Sequence, residues 1–267
     1  MKSFLTRLAS GIILLGIILA TGFVGGAVLF VFTLAIALIG YGEFLRVFAL
    51  EKKLPGVLGM LFVLLYYVGL HMGADQRGMG LFPMTVFLIT LMSLYVFTFP
   101  RYKTEEIMAA LFGFVYVAVM LSFLYQTRTL PVEGRDSSVM YWLIFICSWG
   151  CDTCAYVTGM LLGKHRLAPV LSPKKSVEGA IGGVMGAVIL GYVYGMFFTA
   201  VPAACGIFCG AGAVVSQIGD LAASAIKRNH NIKDYGHLIP GHGGILDRFD
   251  SVIFTAPIIY VLAVLFC

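Results

Sequence analysis

The sequence predicts an all-α, polytopic integral membrane protein. Of its 267 residues, 60% are hydrophobic and only 12% are charged. Mean hydropathy is +0.96, and apolar runs of spanning length recur from one end of the chain to the other. A bilayer core about 30 Å thick needs roughly 20 mostly apolar residues per helix. The ten-residue alternating patterns of an outer-membrane barrel do not occur, and an ordinary soluble domain is excluded. The isoelectric point near 8.9 does not signal nucleic-acid binding, because membrane proteins accumulate Lys and Arg through topology. No nucleic-acid partner is expected.

Membrane helices are expected at about 8–24, 27–47, 55–73, 81–99, 107–126, 139–162, 180–199, 203–226 and 248–267. Lys2 and Arg7 before the first run resemble a signal peptide, but the charge distribution needs this span to be retained. With the N-terminus in the cytoplasm, the inside receives Lys2, Arg7, Arg46, Lys52, Lys53, Arg101, Lys103, Lys164, Arg166, Lys174, Lys175, Lys227, Arg228, Lys233 and Arg248. The outside receives Arg77, Arg128 and Arg135. Fifteen of the 18 basic residues then share one side, the bias that the positive-inside rule describes. Removing one span destroys it. About nine helices are therefore expected, N-terminus cytoplasmic and C-terminus on the opposite side. Residues 1–135 form an N-terminal scaffold and candidate dimerisation region, and residues 136–267 a catalytic region with polar loops on the cytoplasmic side.

An odd span count without an inverted repeat disfavours a two-fold transporter plan. Gly182/Gly186, Gly191/Gly195 and Gly206/Gly210 have the spacing that lets helices approach closely, within one subunit more readily than across a dimer seam. Cys151 and Cys154 have CxxC spacing but no second pair or histidine cluster beside them. They read mainly as small packing residues.

Three polar clusters break the apolar pattern. Asp152, Tyr156, Gly159 and Gly163 lie at i, i+4, i+7 and i+11 in the sixth span, on one helical face. A carboxylate there must face the protein interior or a polar cavity, either to act or to bond a neighbouring helix. Lys164, His165 and Arg166 precede Ser172-Pro173-Lys174-Lys175-Ser176-Val177-Glu178-Gly179. Ser176 is placed to cap the seventh helix, and a helix start beside Lys174 and Lys175 suits phosphate. An ordinary cytoplasmic basic loop reads the same way. The third cluster starts with Ser216, Asp220, Ser224 and Lys227/Arg228, a polar stripe down the eighth helix. It continues through Lys233, Asp234, His242, Gly243 and Gly244 to Asp247, Arg248 and Asp250.

Asp220 and Asp247 are oxygen ligands of the kind Mg²⁺ takes together with substrate phosphates, although Asp247 and Asp250 also suit simple capping. Carboxylates, Lys and Arg, and a glycine-rich loop together suit phosphoryl or nucleotidyl transfer. No Walker-type loop or GxSxG elbow is present.

Ser224-x-Ile226-Lys227-Arg228, Lys233-Asp234-x-Gly236 and Ile239-Pro240-x-His242-Gly243-Gly244-Ile245-x-Asp247-Arg248-Phe249-Asp250 resemble the signature of phosphatidate cytidylyltransferases, the CDP-diacylglycerol synthases. Asp152-x-x-Ala155-Tyr156-x-x-Gly159 and Ser172-Pro173-x-Lys175-Ser176-x-Glu178-Gly179 are similar to further motifs of that family. Met160 and Val177 depart from it, where a basic residue and Trp are common. The resemblance implies transfer from CTP to phosphatidate, a divalent cation, a homodimer and a bacterial cytoplasmic membrane with the site facing the cytoplasm. On that reading Asp220, Lys227, Arg228, Asp247 and Arg248 are catalytic, and Asp220, Asp247 and Asp250 hold Mg²⁺ or another divalent ion. A second cation, monovalent or divalent, is a further candidate near Asp152. Asp152, Tyr156, Ser172, Lys175, Ser176, Glu178, Ser224, Lys233, Asp234, His242, Gly243 and Gly244 are expected around the substrates. The rivals are a CTP-dependent lipid or polyprenol kinase and, in a different class, a cation-coupled transporter.

Overall fold

The computed structural model describes residues 2–73, 80–130 and 137–266, with side chains from Leu8 onward. Arg77, Arg135, Cys267, the side chains of Lys2 and Arg7, and the expected boundary at 135/136 lie outside the described residues.

The chain is helical almost throughout. In order it forms α1 (Lys2–Val24), α2 (Gly26–Val47), α3 (Leu54–His71), α4 (Phe82–Phe97), α5 (Thr104–Thr129) and α6 (Ser138–Leu162). These are followed by α7 (Val177–Phe198), α8 (Pro202–Asn229) and α9 (Leu246–Phe266). Among the described residues, seven of these are long and apolar enough to cross a membrane, and Leu8–Val24 and Phe82–Phe97 are shorter apolar helices. Proline opens three of the helices: Pro55, Pro83 and Pro202 sit in the first turns of α3, α4 and α8, where the N–H that proline lacks has no helical partner to lose. α5 and α6 each carry a wider π-type turn, at Phe114–Val119 and Ile146–Gly150.

The hydrophobic pattern did not indicate strands, yet a short hairpin joins α6 to α7. β1 (Arg166–Ala168) pairs antiparallel with β2 (Ser172–Ser176). Ser176 ends β2 and caps α7, accepting the Gly179 N–H at 3.1 Å. The two lysines of the basic loop are thus held in an extended strand.

The helices group into two compact units that are discontinuous in sequence. The first contains the residues up to Ser122 together with Asp234–Arg248. The second contains Phe123–Lys233 together with the residues from Phe249 on.

In the first unit α2, α3 and α5 pack through tyrosines set against glycines. Tyr41 lies where a Cβ at Gly59 would stand, and its hydroxyl donates to the Ala110 carbonyl at 2.9 Å. Tyr67 donates to the Ala118 carbonyl within the π turn at 3.1 Å. Each buried hydroxyl therefore has an acceptor, as an apolar surrounding requires.

In the second unit α7 lies against both α6 and α8 along its glycines. A Cβ on Gly183 or Gly186 would meet Cys151 or Cys154, and one on Gly191 would meet Cys209. The CxxC pair and the paired cysteines of α8 are the small partners of these glycines, and all five described cysteines are free thiols. The outer face of α7, with Ile181, Met185, Ile189 and Val193, is exposed and apolar, as a lipid-facing surface should be.

Gly191→Leu should overpack the α7–α8 seam. The new Cβ would stand 2.6 Å from Cys209 Sγ and 2.8 Å from the Cys205 carbonyl oxygen. A cost of about 1–3 kcal/mol or more is expected, read as a lower thermal aggregation midpoint in detergent. Gly16→Leu, with nothing within 4 Å, should leave that midpoint unchanged.

Candidate active site

In the second unit α6, β2, α7 and α8 converge on a cavity of about 380 Å³. α6 contributes Asp152, Tyr156 and Gly159, the face that helical spacing indicated. β2 and the first turn of α7 contribute Lys175, Ser176 and Gly179, and α8 contributes Gln217 and Asp220. The β2 strand points Lys175 at Asp220, and the two form an ion pair between Nζ and Oδ2. Both side chains are about one-quarter exposed, so the pair sits at the cavity wall and not in the apolar core. Gln217 donates to the Ala180 carbonyl at 3.0 Å and approaches Cys151 Sγ at 3.4 Å, tying α8 to α7 and α6.

Asp250, on α9, belongs to the same electrostatic group. Asp220, Lys227 and Asp152 all act on its charge, and its Oδ1 accepts the Ser251 N–H at 2.9 Å. Lys227 is buried in α8. Three aspartates thus share the region with two lysines, one of which is committed to Asp220. The start of α7 completes the wall. Its positive end is favourable for an anion, and a Cβ at Gly159 would come 3.0 Å from Ser176 Oγ. Met160 and Leu167 add apolar surface to the same cavity.

Glu178 serves the scaffold. Its carboxylate lies 2.6 Å from His165 Nδ1 and accepts the Lys164 and His165 N–H groups at 3.0 and 3.2 Å. This clasps the end of α6 and the hairpin to α7. Ser172 starts β2, and Ser224 is half-buried on α8. Arg228 is exposed and donates to the Ile232 carbonyl at 3.2 Å, closing the end of α8.

The remaining candidates lie on the Asp234–Arg248 loop of the first unit. Lys233, the last residue before that segment, and Asp234 are both exposed. Ile239-Pro240-Gly241-His242 closes a turn in which the His242 N–H donates to the Ile239 carbonyl at 2.9 Å. Proline at the second position and Gly241 at φ 78° in the third match a type II turn, which needs a left-handed residue there. Ser10 Oγ lies 2.8 Å from His242 Nδ1 and 3.1 Å from the Pro240 carbonyl oxygen. Asp247 is buried, and its Oδ2 accepts the Tyr235 and Gly244 N–H groups at 2.8 and 3.0 Å. The next residue, Arg248, has a buried Nε with no hydrogen-bond partner among the described residues.

The sequence reading missed Glu43. This carboxylate on α2 is buried and accepts the Ile245 and Leu246 N–H groups at 3.1 and 2.9 Å. It therefore caps α9 from another helix, at the place where a capping side chain or a bound anion would otherwise sit. A Cβ at Gly236 or Gly244 would fall 2.3 or 2.4 Å from a Glu43 oxygen. The close approach that requires glycine at these two positions is thus to a carboxylate of the protein itself. The signal was present in the sequence, since Glu43 is the one acidic residue in Gly26–Val47 and such a residue is a functional candidate by default.

A strand-presented lysine on an aspartate, further aspartates nearby and a helix start on one cavity are the groups that phosphate chemistry at a membrane helix bundle would use. Residues 5–266 match the family described as "Cytidylyltransferase family". A phosphatidate cytidylyltransferase of Staphylococcus saprophyticus is 32% identical over 262 residues, covering 97% of this chain and 98% of the relative. Phosphatidate cytidylyltransferases of Staphylococcus aureus and Staphylococcus haemolyticus are also 32% identical, each over 97% of this chain and 97% and 98% of their own lengths. The chain belongs to the cytidylyltransferase family.

Glu43→Gln should loosen the loop without unfolding the helices. Glutamine has one carbonyl oxygen for two N–H groups and would turn its own NH₂ toward the other. A buried donor left unmatched costs ~1–3 kcal/mol, so hydrogen exchange at the Ile245 and Leu246 amides should quicken about tenfold or more. Unchanged exchange would refute the trans-capping role.

Proposed function

We propose that this protein transfers the cytidylyl group of CTP to phosphatidate, giving CDP-diacylglycerol and pyrophosphate. The observation that carries the reading is the cavity where Lys175 meets Asp220 beside the start of α7. A phosphatidate oxygen forms the new bond to the α-phosphorus of CTP, and the bond from that phosphorus to the bridging oxygen breaks, releasing pyrophosphate. Phosphatidate is already ionised at neutral pH, so no general base is needed. What the protein must supply is charge neutralisation and in-line placement of two polyanions. Lys175, Lys227 and the α7 start suit the phosphates, and Tyr156, Met160 and Leu167 supply apolar wall. Arg228, on α8 of the same unit, is a further cation for these polyanions.

A divalent cation fits the donor chemistry. Asp152, Asp220 and Asp250 outnumber Lys175 and Lys227, and carboxylates are the ligands that hard cations take. As they stand, no three such side chains among the described residues form a closed ligand set, and Asp220 is turned to Lys175. Asp220 and Asp250 are the residues that would hold the ion, with Asp152 as the candidate for a second cation. When bound, the ion would neutralise charge on the reacting phosphates. Asp247, expected as a ligand from its sequence position, shapes the loop through Oδ2.

The proposal includes a site open to the cytoplasmic side of an inner membrane, supported by the positive-inside bias, and a homodimer, supported by the family resemblance. Neither a kinase nor a transporter accounts for the family membership.

Purified protein given α-labelled CTP, phosphatidate and Mg²⁺ should transfer label to the organic phase, and a chelator should abolish the transfer. Lys175→Met should lower kcat/KM about 100-fold, the scale of one lost charge-stabilising donor. Label that stays in solution, while γ-labelled CTP marks the lipid, would identify a kinase instead.

A further inference from the structure

The transfer reaction leaves unused a basic cavity in the first unit. It measures about 430 Å³ and is lined by Lys52, Lys53, Leu54, Val57, Arg101 and Tyr102. We propose that it binds the headgroup of an anionic phospholipid, at a site separate from the reacting substrates.

The charges come from two separate stretches of chain, the turn before α3 and the turn before α5. Lys53 is ion-paired with Glu106, and Glu106 Oε2 also accepts the Lys103 N–H at 2.8 Å. The Arg101–Lys103 turn is thereby pinned to the start of α3. The Arg101 guanidinium stands 5.5 Å from the centre of the Tyr102 ring, a cation–π contact that orients it before any ligand arrives. No carboxylate is among the lining residues, and Lys52 and Arg101 have no carboxylate partner among the described residues. With Lys53 neutralised by Glu106, two cations remain, matched to a phosphate-bearing group.

The other half of the wall decides between a soluble phosphate and a lipid. Leu54 and Val57 are each about half exposed and line the cavity directly. They begin an exposed apolar stripe on α3 that continues through Leu61, Leu64 and Val68, one helical face running away from the cations. A free anion would use the cations and gain nothing from this surface. A phospholipid uses both, with its phosphate between Lys52 and Arg101 and an acyl chain along α3. Lys53, at the head of α3, offers no side-chain acceptor to the first-turn N–H groups, so the positive end of an 18-residue helix adds to the attraction.

The test uses the full-length protein in detergent micelles, with bound lipid read by native mass spectrometry during titration with phosphatidylglycerol or phosphatidylcholine. Phosphatidylglycerol is chosen because it is not the cytidylyl acceptor of the proposed reaction. Lys52→Ala with Arg101→Ala should weaken its binding on the order of 10- to 30-fold, since each juxtamembrane cation contributes several-fold. Phosphatidylcholine binding should not change. Lys103→Ala, an exposed cation of the same turn outside the cavity wall, should bind phosphatidylglycerol as the unaltered protein does. Lys52→Glu, at an exposed position, repeats the test where folding is least at risk.

Equal weakening by Lys103→Ala would mean diffuse surface attraction and overturn the site. Unaltered binding in both cavity variants would do the same. Displacement of the lipid by millimolar inorganic phosphate, with no preference for the lipid, would assign the cavity to a soluble anion instead. None of these readouts depends on cytidylyl transfer.

Discussion

An ionised side chain in a membrane span must find a compensating partner, because hydrocarbon offers it no water. Much of this protein's architecture follows from how it meets that demand. Asp220 on α8 is met by Lys175, delivered by the short β2 strand. Glu43 on α2 is met by two amide groups at the head of α9. Neither carboxylate is compensated from its own helix. Each joins a spanning helix to a polar connection.

This pairing explains two irregularities of an otherwise helical chain. The β1–β2 hairpin holds Lys175 and Ser176 in extended backbone, so that the lysine reaches Asp220 while the next residue caps α7. The Gly236 and Gly244 positions of the long loop stay open because Glu43 occupies the space a side chain would need. Asp247 then turns its Oδ2 back onto the same loop. The loop is shaped by carboxylates on both sides before any nucleotide approaches it.

The glycines of α7 have a related role. They bring α6 and α8 close enough for Asp152 and Asp220 to line one cavity, with cysteines as their small counterparts. Substrate phosphates would enter between fixed charges, and reorganisation on binding would be correspondingly small.

The helical membrane class and the polar clusters were legible in the sequence because each has a one-dimensional signature. Apolar runs give helices by length, and Asp152/Tyr156 and Asp220/Lys227 show themselves by helical spacing. The Ser176 cap follows from its position before an apolar run. Glu43 stood out as the one carboxylate of its span, but its amide partners lie far along the chain and leave no local mark, and neither does the clasp of Glu178 on His165. The hairpin was hidden because Ser-Pro-Lys-Lys-Ser carries no hydrophobic period. Helical membrane architecture and the grouping of polar residues on helical faces were thus determined by composition and local spacing. Only the tertiary structure decided which charges compensate which, and that the loop from Asp234 to Arg248 groups with the N-terminal helices. The reason is physical: a buried charge is matched by whatever donor lies beside it in space, and sequence distance, 45 residues for Lys175 and Asp220 and 202 for Glu43 and Ile245, places no limit on that match.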